Sequence, residues 1–376
     1  MNATPTQAAP RPQTGPRPQT GPRPRLGVVV VTFNTADIIT ENLESLMAEA
    51  GDVALDVVVV DNGSTDGTPE AIRAWADGSA PFTAPADMPF PLSACAKPVR
   101  LSPEGAPCPD CTPEAPALTF IETGLNAGFA GGVNRGLAHL AAHSQADRFW
   151  ILNPDGAAAP GAALAFASAE TGPFSLMGGR VIYTHDPDTI QIDGGTVNAR
   201  TGVTGNVHLG QSHAATDAPD PATMDFITGA SMVASRAFYE AVGPMPEDYF
   251  LYYEEVDWAY RRPATLPYAY CAGGVVYHRA GTAIGSPTLD RVAGPFSQYF
   301  KHRGRMRFVR RHLPGARLTA LAYSLAKAGQ YALKGHRAEA AALLAGSLDR
   351  PPPAAVRGRL SPEARALAFA PYRTQP

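Results

Sequence analysis

The chain has 376 residues, enough for one large or two modest domains, since single cores stop growing at roughly 250–300 residues. Charged residues are 17% of the total and the formal net charge is −3, which excludes a global pull toward nucleic acid; no nucleic-acid partner is expected. No stretch approaches the roughly 20 apolar residues of a bilayer span, and no apolar run near the start has the form of a leader, so a cytoplasmic protein is expected.

Residues 1–25 repeat Arg-Pro-Gln-Thr-Gly-Pro from Arg11 and again from Arg17, a composition that predicts a disordered, weakly basic tail. Leu26 to Val31 is a continuous β-branched run suited to a strand buried on both faces, with Thr32, Phe33 and Asn34 at its carboxyl end. Ile38, Ile39, Leu43, Leu46 and Met47 follow at helical spacing, and Ala54 to Val60 is a second strand ending at Asp61. The turn cluster Asp61 to Thr68 leads into a helix with Pro69 in its first turn. Residues 79–116 are Pro-rich and mostly polar, which predicts a surface insertion; Cys95, Cys108 and Cys111 lie in it without a fourth ligand for a closed zinc site.

Beyond the insertion, Ala117 to Ile121 predicts a third strand, Asn126 to Gly132 a glycine-rich turn into a helix, and Phe149 to Leu152 a fourth strand ending in Asn153-Pro154-Asp155. Strand–helix alternation of this kind argues for an α/β fold with an open, mostly parallel sheet flanked by helices, whose ligands bind beyond the carboxyl ends of the strands. Short strands and turns follow from Ser175 to Asn206, then an acidic cluster within Phe250 to Arg262, then a strand from Tyr268 to Tyr277 ending at His278. The expected organisation is a domain over 26–290, a basic helical region over 291–350 and a tail over 351–376.

Three features are candidates for chemistry. Asp155 follows an apolar strand and a proline, so its carboxylate stands at the sheet's carboxyl edge, where a divalent cation could bridge protein and diphosphate. Within Tyr252 to Trp258, Glu254, Glu255 and Asp257 repel one another beside aromatic rings, which raises carboxylate pKa values toward those of a general base. On a helix Asp257 meets Arg261 at i+4, leaving Glu255 free to act. Between Asp290 and Glu339 there is no carboxylate but eleven Lys or Arg, among them Arg303 and Arg305, a charge excess suited to a diphosphate or to an anionic membrane surface. Neither G-x-G-x-x-G after the first strand nor G-x-x-x-x-G-K-[ST] occurs, which disfavours a dinucleotide oxidoreductase and a P-loop enzyme.

Taken in order, Val31 to Asn34, Val60 to Thr68, Asn126 to Asn134, Leu152 to Asp155, Thr228 to Met232, Tyr252 to Trp258 and His278 resemble the family 2 glycosyltransferases, in particular their rhamnosyltransferase-like branch. The resemblance implies a GT-A fold and an inverting transfer from a nucleotide diphosphate sugar, dTDP-rhamnose or a UDP-sugar, to a hydroxyl of a glycan or lipid-linked glycan in cell-surface polysaccharide synthesis. It places Thr32, Phe33, Asn34, Asp61, Asn126, Gly128, Asn134, Asn153 and Arg303 at the nucleotide sugar. Asp155 and His278 fall on Mn2+ or Mg2+, Glu255 at the general base, and Glu254, Asp257 and Trp258 on the acceptor side or in support. Peripheral contact of the basic C-terminal region with the inner face of the plasma membrane belongs to the same expectation. The alternative is an inactive sugar-nucleotide-binding or scaffold protein with the same fold.

Overall fold

The computed structural model describes residues 23–279 and 292–372, so the expected tail up to residue 22 and the boundary expected near 290 lie outside the described residues. The chain opens with β1 (Arg25–Thr32), α1 (Ile39–Ala48), β2 (Ala54–Asp61) and α2 (Thr68–Asp77). There follow β3 (Arg100–Ser102), β4 (Ala117–Glu122), α3 (Gly128–His143) and β5 (Arg148–Leu152). The middle of the chain forms β6 (Gly156–Ala158), α4 (Ala162–Ser168), β7 (Leu176–Tyr183), β8 (Asp186–Ile192), β9 (Gly195–Val197) and β10 (Thr204–Asn206). Next come β11 (Ser231–Ser235), α5 (Arg236–Val242), α6 (Glu254–Tyr260) and β12 (Ala269–His278). Five helices end the chain: α7 (Pro295–His312), α8 (Arg317–Leu333), α9 (Arg337–Ser347), α10 (Ala354–Arg357) and α11 (Pro362–Ala368).

The main sheet runs β3-β4-β2-β1-β5-β11-β7-β12-β6, with β8 paired to β7. From β3 to β5 every pairing is parallel; β11 is antiparallel to both its neighbours, and β12 is parallel to β7. The strand pattern explains the layers. Leu26, Val28 and Val30 pack in one apolar cluster with α1 and α2, whereas Val29 and Val31 pack in another with Val133, Leu137 and Leu140 of α3. A strand apolar on both faces thus has helices on both faces, as the continuous β-branched run predicts.

β1 sits between β2 and β5, so crossovers leave it in opposite directions. That makes a crevice at the carboxyl ends of β1, β2 and β5. The register aligns Thr32 with Asp61 and Val30 with Leu152, which brings the polar strand ends to one level.

Two expectations change. The 79–116 segment is not only a surface insertion: Arg100 to Ser102 forms the parallel edge strand β3, and Val99 and Cys111 are buried. It is held to the α1–α2 face by Glu44, fully buried, which accepts from Trp75 Nε1 at 2.7 Å, Cys95 N at 2.7 Å and Lys97 Nζ at 3.1 Å. Nor is 351–376 simply a tail. Val356, Leu360, Ala364 and Ala368 recur every fourth residue and are buried against Phe250, Phe296 and Phe300, so α10 and α11 are packed parts of the fold.

Candidate active site

A cleft of about 280 Å³ opens at the carboxyl ends of β1, β2 and β5. Phe33, Asn34 and Thr35 line it after β1, Asn62 after β2, Asn126 and Gly128 at the start of α3, and Asn153 and Asp155 after β5. His278, the last residue of β12, enters from the antiparallel side. The topology therefore gathers seven of the fifteen expected site residues from four separate strand ends.

Local bonds fix these side chains. Asn62 Nδ2 donates to Gly128 O at 2.8 Å, and Asn126 Oδ1 accepts from Gly128 N at 2.9 Å, tying the end of β2 to the start of α3. Asn34 has a positive φ of 54° and its Oδ1 accepts from Thr65 N at 2.8 Å, which anchors the turn after β1 to the turn after β2. Gly128 has a φ of +82°, and a Cβ there would lie 2.2 Å from Phe250 O; no other residue admits that approach. The approach matters because Phe250 and Leu251 form a wall of the cleft, and Phe250, Tyr252 and Tyr253 all hold positive φ values, 66°, 66° and 75°. Strain of this kind persists only where the surroundings over-determine it.

Asp155 and His278 meet at the floor. Asp155 Oδ1 lies 3.0 Å from His278 Nε2, and both side chains are nearly buried. His278 Nδ1 is 2.9 Å from Gln191 Oε1, and Asn153 Nδ2 is 3.3 Å from Nε2. One ring nitrogen of His278 thus meets the Gln191 amide and the other the Asp155 carboxylate, which together fix the ring's orientation. The donor set, one carboxylate oxygen and one imidazole nitrogen on a ring that Gln191 holds, would fit a hard divalent ion that takes its remaining ligands from phosphate and water. Among the described residues there is no group of three or more His, Cys, Asp or Glu arranged to hold a metal, so the insertion cysteines form no such site.

Other expected site residues do not reach the cleft. Thr32 and Asp61 are buried and bonded to each other, Thr32 Oγ1 donating to Asp61 Oδ1 at 3.0 Å, while Asp61 Oδ2 accepts from Ser64 N; it is Asn62, one residue on, that faces the cavity. Asn134 is one turn too deep in α3: its Nδ2 donates to Met245 O and Glu247 Oε1, both at 2.8 Å, and holds the loop before α6. Arg303 is a correction of a different kind. It is 3% exposed, its Nε donates to Asp349 Oδ1 at 2.7 Å, and its terminal nitrogens donate to the carbonyls of Ala368 and Ala370, so it fastens the last helix and faces no donor. Arg305 likewise donates to Thr201 O, Ala320 O and Ser324 Oγ.

In the acidic cluster the expected pairing of Asp257 with Arg261 is present at 2.6 Å. Burial opposes ionisation of Asp257, but hydrogen bonds from His312 and Tyr249 and the charges of Arg261 and Arg311 hold its carboxyl well below the usual range. Trp258 is a core residue, fully buried, edge-on to Phe238 and donating Nε1–H to Gly243 O, so it presents nothing to an acceptor. Glu254 is 2% exposed with Oε2 unbonded, and burial followed by the Glu255 charge pushes its pKa far up. Glu255 is half-buried in the first turn of α6, just past the strained wall, and does not itself line the cleft. Burial raises its pKa, against hydrogen bonds from backbone N–H groups and the charge of Lys301.

Among the lining residues not expected from the sequence, Arg359 carries charge. It stands between α10 and α11 with its guanidinium 4.9 Å from the Phe296 ring centroid, and among the described residues it is the only Lys or Arg on the lining. The apolar spacing of 356, 360, 364 and 368 is the signal that this segment is packed; the prolines at 351–353 obscure it.

A mostly parallel sheet between helices, a crevice at its switch point and C-terminal helices make the architecture GT-A-like. Residues 27–83 match the family described as "Glycosyl transferase family 2". A search of curated proteins found no match. Similar solved structures include the mannosyltransferase PcManGT from Pyrobaculum calidifontis in complex with GDP-Man and Mn2+, at 18% identity over 87% of this chain and 87% of that one, TM-score 0.47. GalNAc-T7 with UDP, GalNAc and Mn2+ is 12% identical over 84% of this chain and 54% of that one, TM-score 0.48. S. aureus TarS 1-349 is 13% identical over 87% and 71%, TM-score 0.40.

Proposed function

We propose that this protein is an inverting glycosyltransferase that moves a sugar from a nucleotide diphosphate donor to an acceptor hydroxyl. The observation that carries the reading is the cleft itself, where Asn34, Asn62, Asn126 and Asn153 from separate strand ends surround the close Asp155–His278 pair. Amide side chains of this kind suit the hydroxyls and carbonyls of a nucleoside and sugar, while Phe33 and Phe250 supply apolar faces for a base. Asp155 and His278 would hold Mn2+ or Mg2+, with Gln191 fixing the imidazole. Bound there, the ion would neutralise charge on the departing diphosphate.

Glu255 is the base in this reading. Its raised pKa sets it to take the acceptor proton as the acceptor oxygen attacks the anomeric carbon opposite the diphosphate, and one displacement inverts the configuration. Glu254 is the more deeply buried of the two, and burial followed by the Glu255 charge pushes its pKa further up. Resemblance to the rhamnosyltransferase-like branch favours dTDP-rhamnose, then UDP-sugars, as donor, and a glycan or lipid-linked glycan of cell-surface polysaccharide as acceptor.

Titration calorimetry with nucleotide sugars, with and without Mn2+, tests this. A donor should bind the wild type more tightly with Mn2+, and Asp155→Ala should abolish that increment. If no nucleotide sugar binds in the presence of Mn2+, the reading fails.

A further inference from the structure

The basic C-terminal region divides in two when its surroundings are followed. On α7, Arg303, Arg305 and Arg307 are buried and Arg311 is paired with Asp248 and Asp257, so these cations are spent inside the molecule. On α8 the reverse holds. Ala320, Ser324 and Ala328 form its buried face, and the opposite face is apolar and open. Leu318 is 81% exposed, Leu325 54% and Leu333 91%, with Ala322 and Gly329 exposed between them and Leu321 at one edge. At about 100° per residue these six positions fall within an arc of roughly 120° that includes no polar side chain. Three of the large apolar side chains the protein leaves most open to water lie on this one helix.

The ends of that face are cationic. Arg317 stands at the start of α8 and Lys334 and Arg337 just past its end, all three exposed, while no carboxylate occurs from residue 292 to 338; Lys327, about 180° round the helix from Leu318, is turned to the other side, over the Tyr331 ring. We propose that α8 is an interfacial helix that seats this protein on an anionic bilayer, with the leucine face in the acyl boundary and Arg317, Lys334 and Arg337 at the headgroups. An open apolar face wants a nonaqueous partner, and basic ends select a negative one. A second copy of the chain is the poorer occupant, because a two-fold contact through α8 sets the same unneutralised cations against each other. Among the described residues no helix is long and apolar enough to cross a membrane, so the contact is with one surface of it. The inference needs no assumption about the reaction.

Co-sedimentation of the full chain with vesicles tests it. The wild type should pellet with vesicles of about one-third phosphatidylglycerol in phosphatidylcholine and not with phosphatidylcholine alone, and roughly 1 M salt should release it. The double variant Leu318→Glu, Leu325→Glu should lose binding with an unchanged melting temperature, since both side chains are already exposed. Each of Arg317→Gln, Lys334→Gln and Arg337→Gln should weaken binding about fivefold. Absence of wild-type binding to anionic vesicles, unchanged binding by the double glutamate variant, or a wild-type dimer in sedimentation that this variant abolishes would each overturn the proposal.

Discussion

The parallel half of the sheet and the C-terminal helices use their polar residues in opposite ways. At the ends of β1, β2 and β5 polar side chains follow buried strands and are directed into a cleft, because the topology leaves space beyond those ends. Along α7 arginines are drawn into the interior, where the one carboxylate of Asp349 accepts from both Arg303 and Arg307 and lies 3.7 Å from Arg310. In the first region position in the fold sets the role. In the second a partner distant in sequence sets it: Arg303 meets Asp349 46 residues on, and Arg311 meets Asp257 54 residues back. A strand end therefore announces a site, whereas a run of arginine announces neither a surface nor a ligand.

Glu255 breaks this division most severely, since it stands on α6 between the cleft wall and Lys301 of α7. Glu255→Gln should lower kcat by about 10²–10⁴-fold with donor affinity unchanged. In the wild type the acid limb of kcat/KM should lie above the ordinary glutamate value, because burial raises the pKa and the base works only when ionised. The same shift has a stability sign: the folded state holds the proton more tightly than the unfolded chain, so stability falls as pH rises from the ordinary value through the raised one. Glu255→Gln should remove its share of that decline and leave the share that Glu254 contributes. Loss of donor binding in place of turnover would make Glu255 a ligand, and the cleft would then extend into the helical region.

Next in size is Asp257, the carboxylate that joins α6 to α7. Asp257→Asn removes the buried carboxylate that Arg261 and Arg311 share, leaving Arg311 with Asp248, and should destabilise by about 3–5 kcal/mol, measured by denaturant unfolding. Its folded pKa is depressed, so its contribution is complete above the unfolded carboxylate value and is lost as pH falls toward the folded one. Wild type and variant should converge in acid. A difference that persists at low pH would mean the side chain acts by packing rather than by charge.

Much of the fold was legible because burial on two faces has a sequence signature. Val-rich runs at 26–31 and 54–60, followed each time by turn residues, can hardly be anything but central strands, and Asn34 stands after the first of them as Asn153, Asp155 and His278 stand after later strands; the roles of Asn153 and His278 came from the family resemblance. Offsets of one residue or one turn were not legible. Whether Asp61 or Asn62 faces the cavity depends on the pleat at the strand's last residue, and whether Asn126 or Asn134 does depends on where α3 enters. Glu44, central to the insertion, reads as an ordinary helix-surface acid, because its partners Trp75 and Lys97 come from elsewhere in the chain. The strained turn at Phe250–Tyr253 has no glycine to announce it; its requirement falls on Gly128 and Gly304, whose added Cβ atoms would meet Phe250 O and Tyr252 O at 2.2 and 2.4 Å.

Arg359 sharpens the comparison at the smallest scale, because it brings a C-terminal cation back to the cleft. Its neighbours fix it: Leu360 is buried in the cluster with Phe250 and Phe296, and the guanidinium lies over the Phe296 ring, so the side chain is held at the cavity's edge. A diphosphate there would gain a charge-assisted hydrogen bond, worth roughly 1.5–3 kcal/mol. Arg359→Ala should therefore weaken nucleoside diphosphate binding about 10- to 100-fold by calorimetry and leave a nucleoside without phosphate unaffected, while Arg303→Ala should lower the melting temperature. Equal losses for the nucleoside and the diphosphate would mean that Arg359 only braces the cleft wall, and this lining cation would then be structural like those of α7.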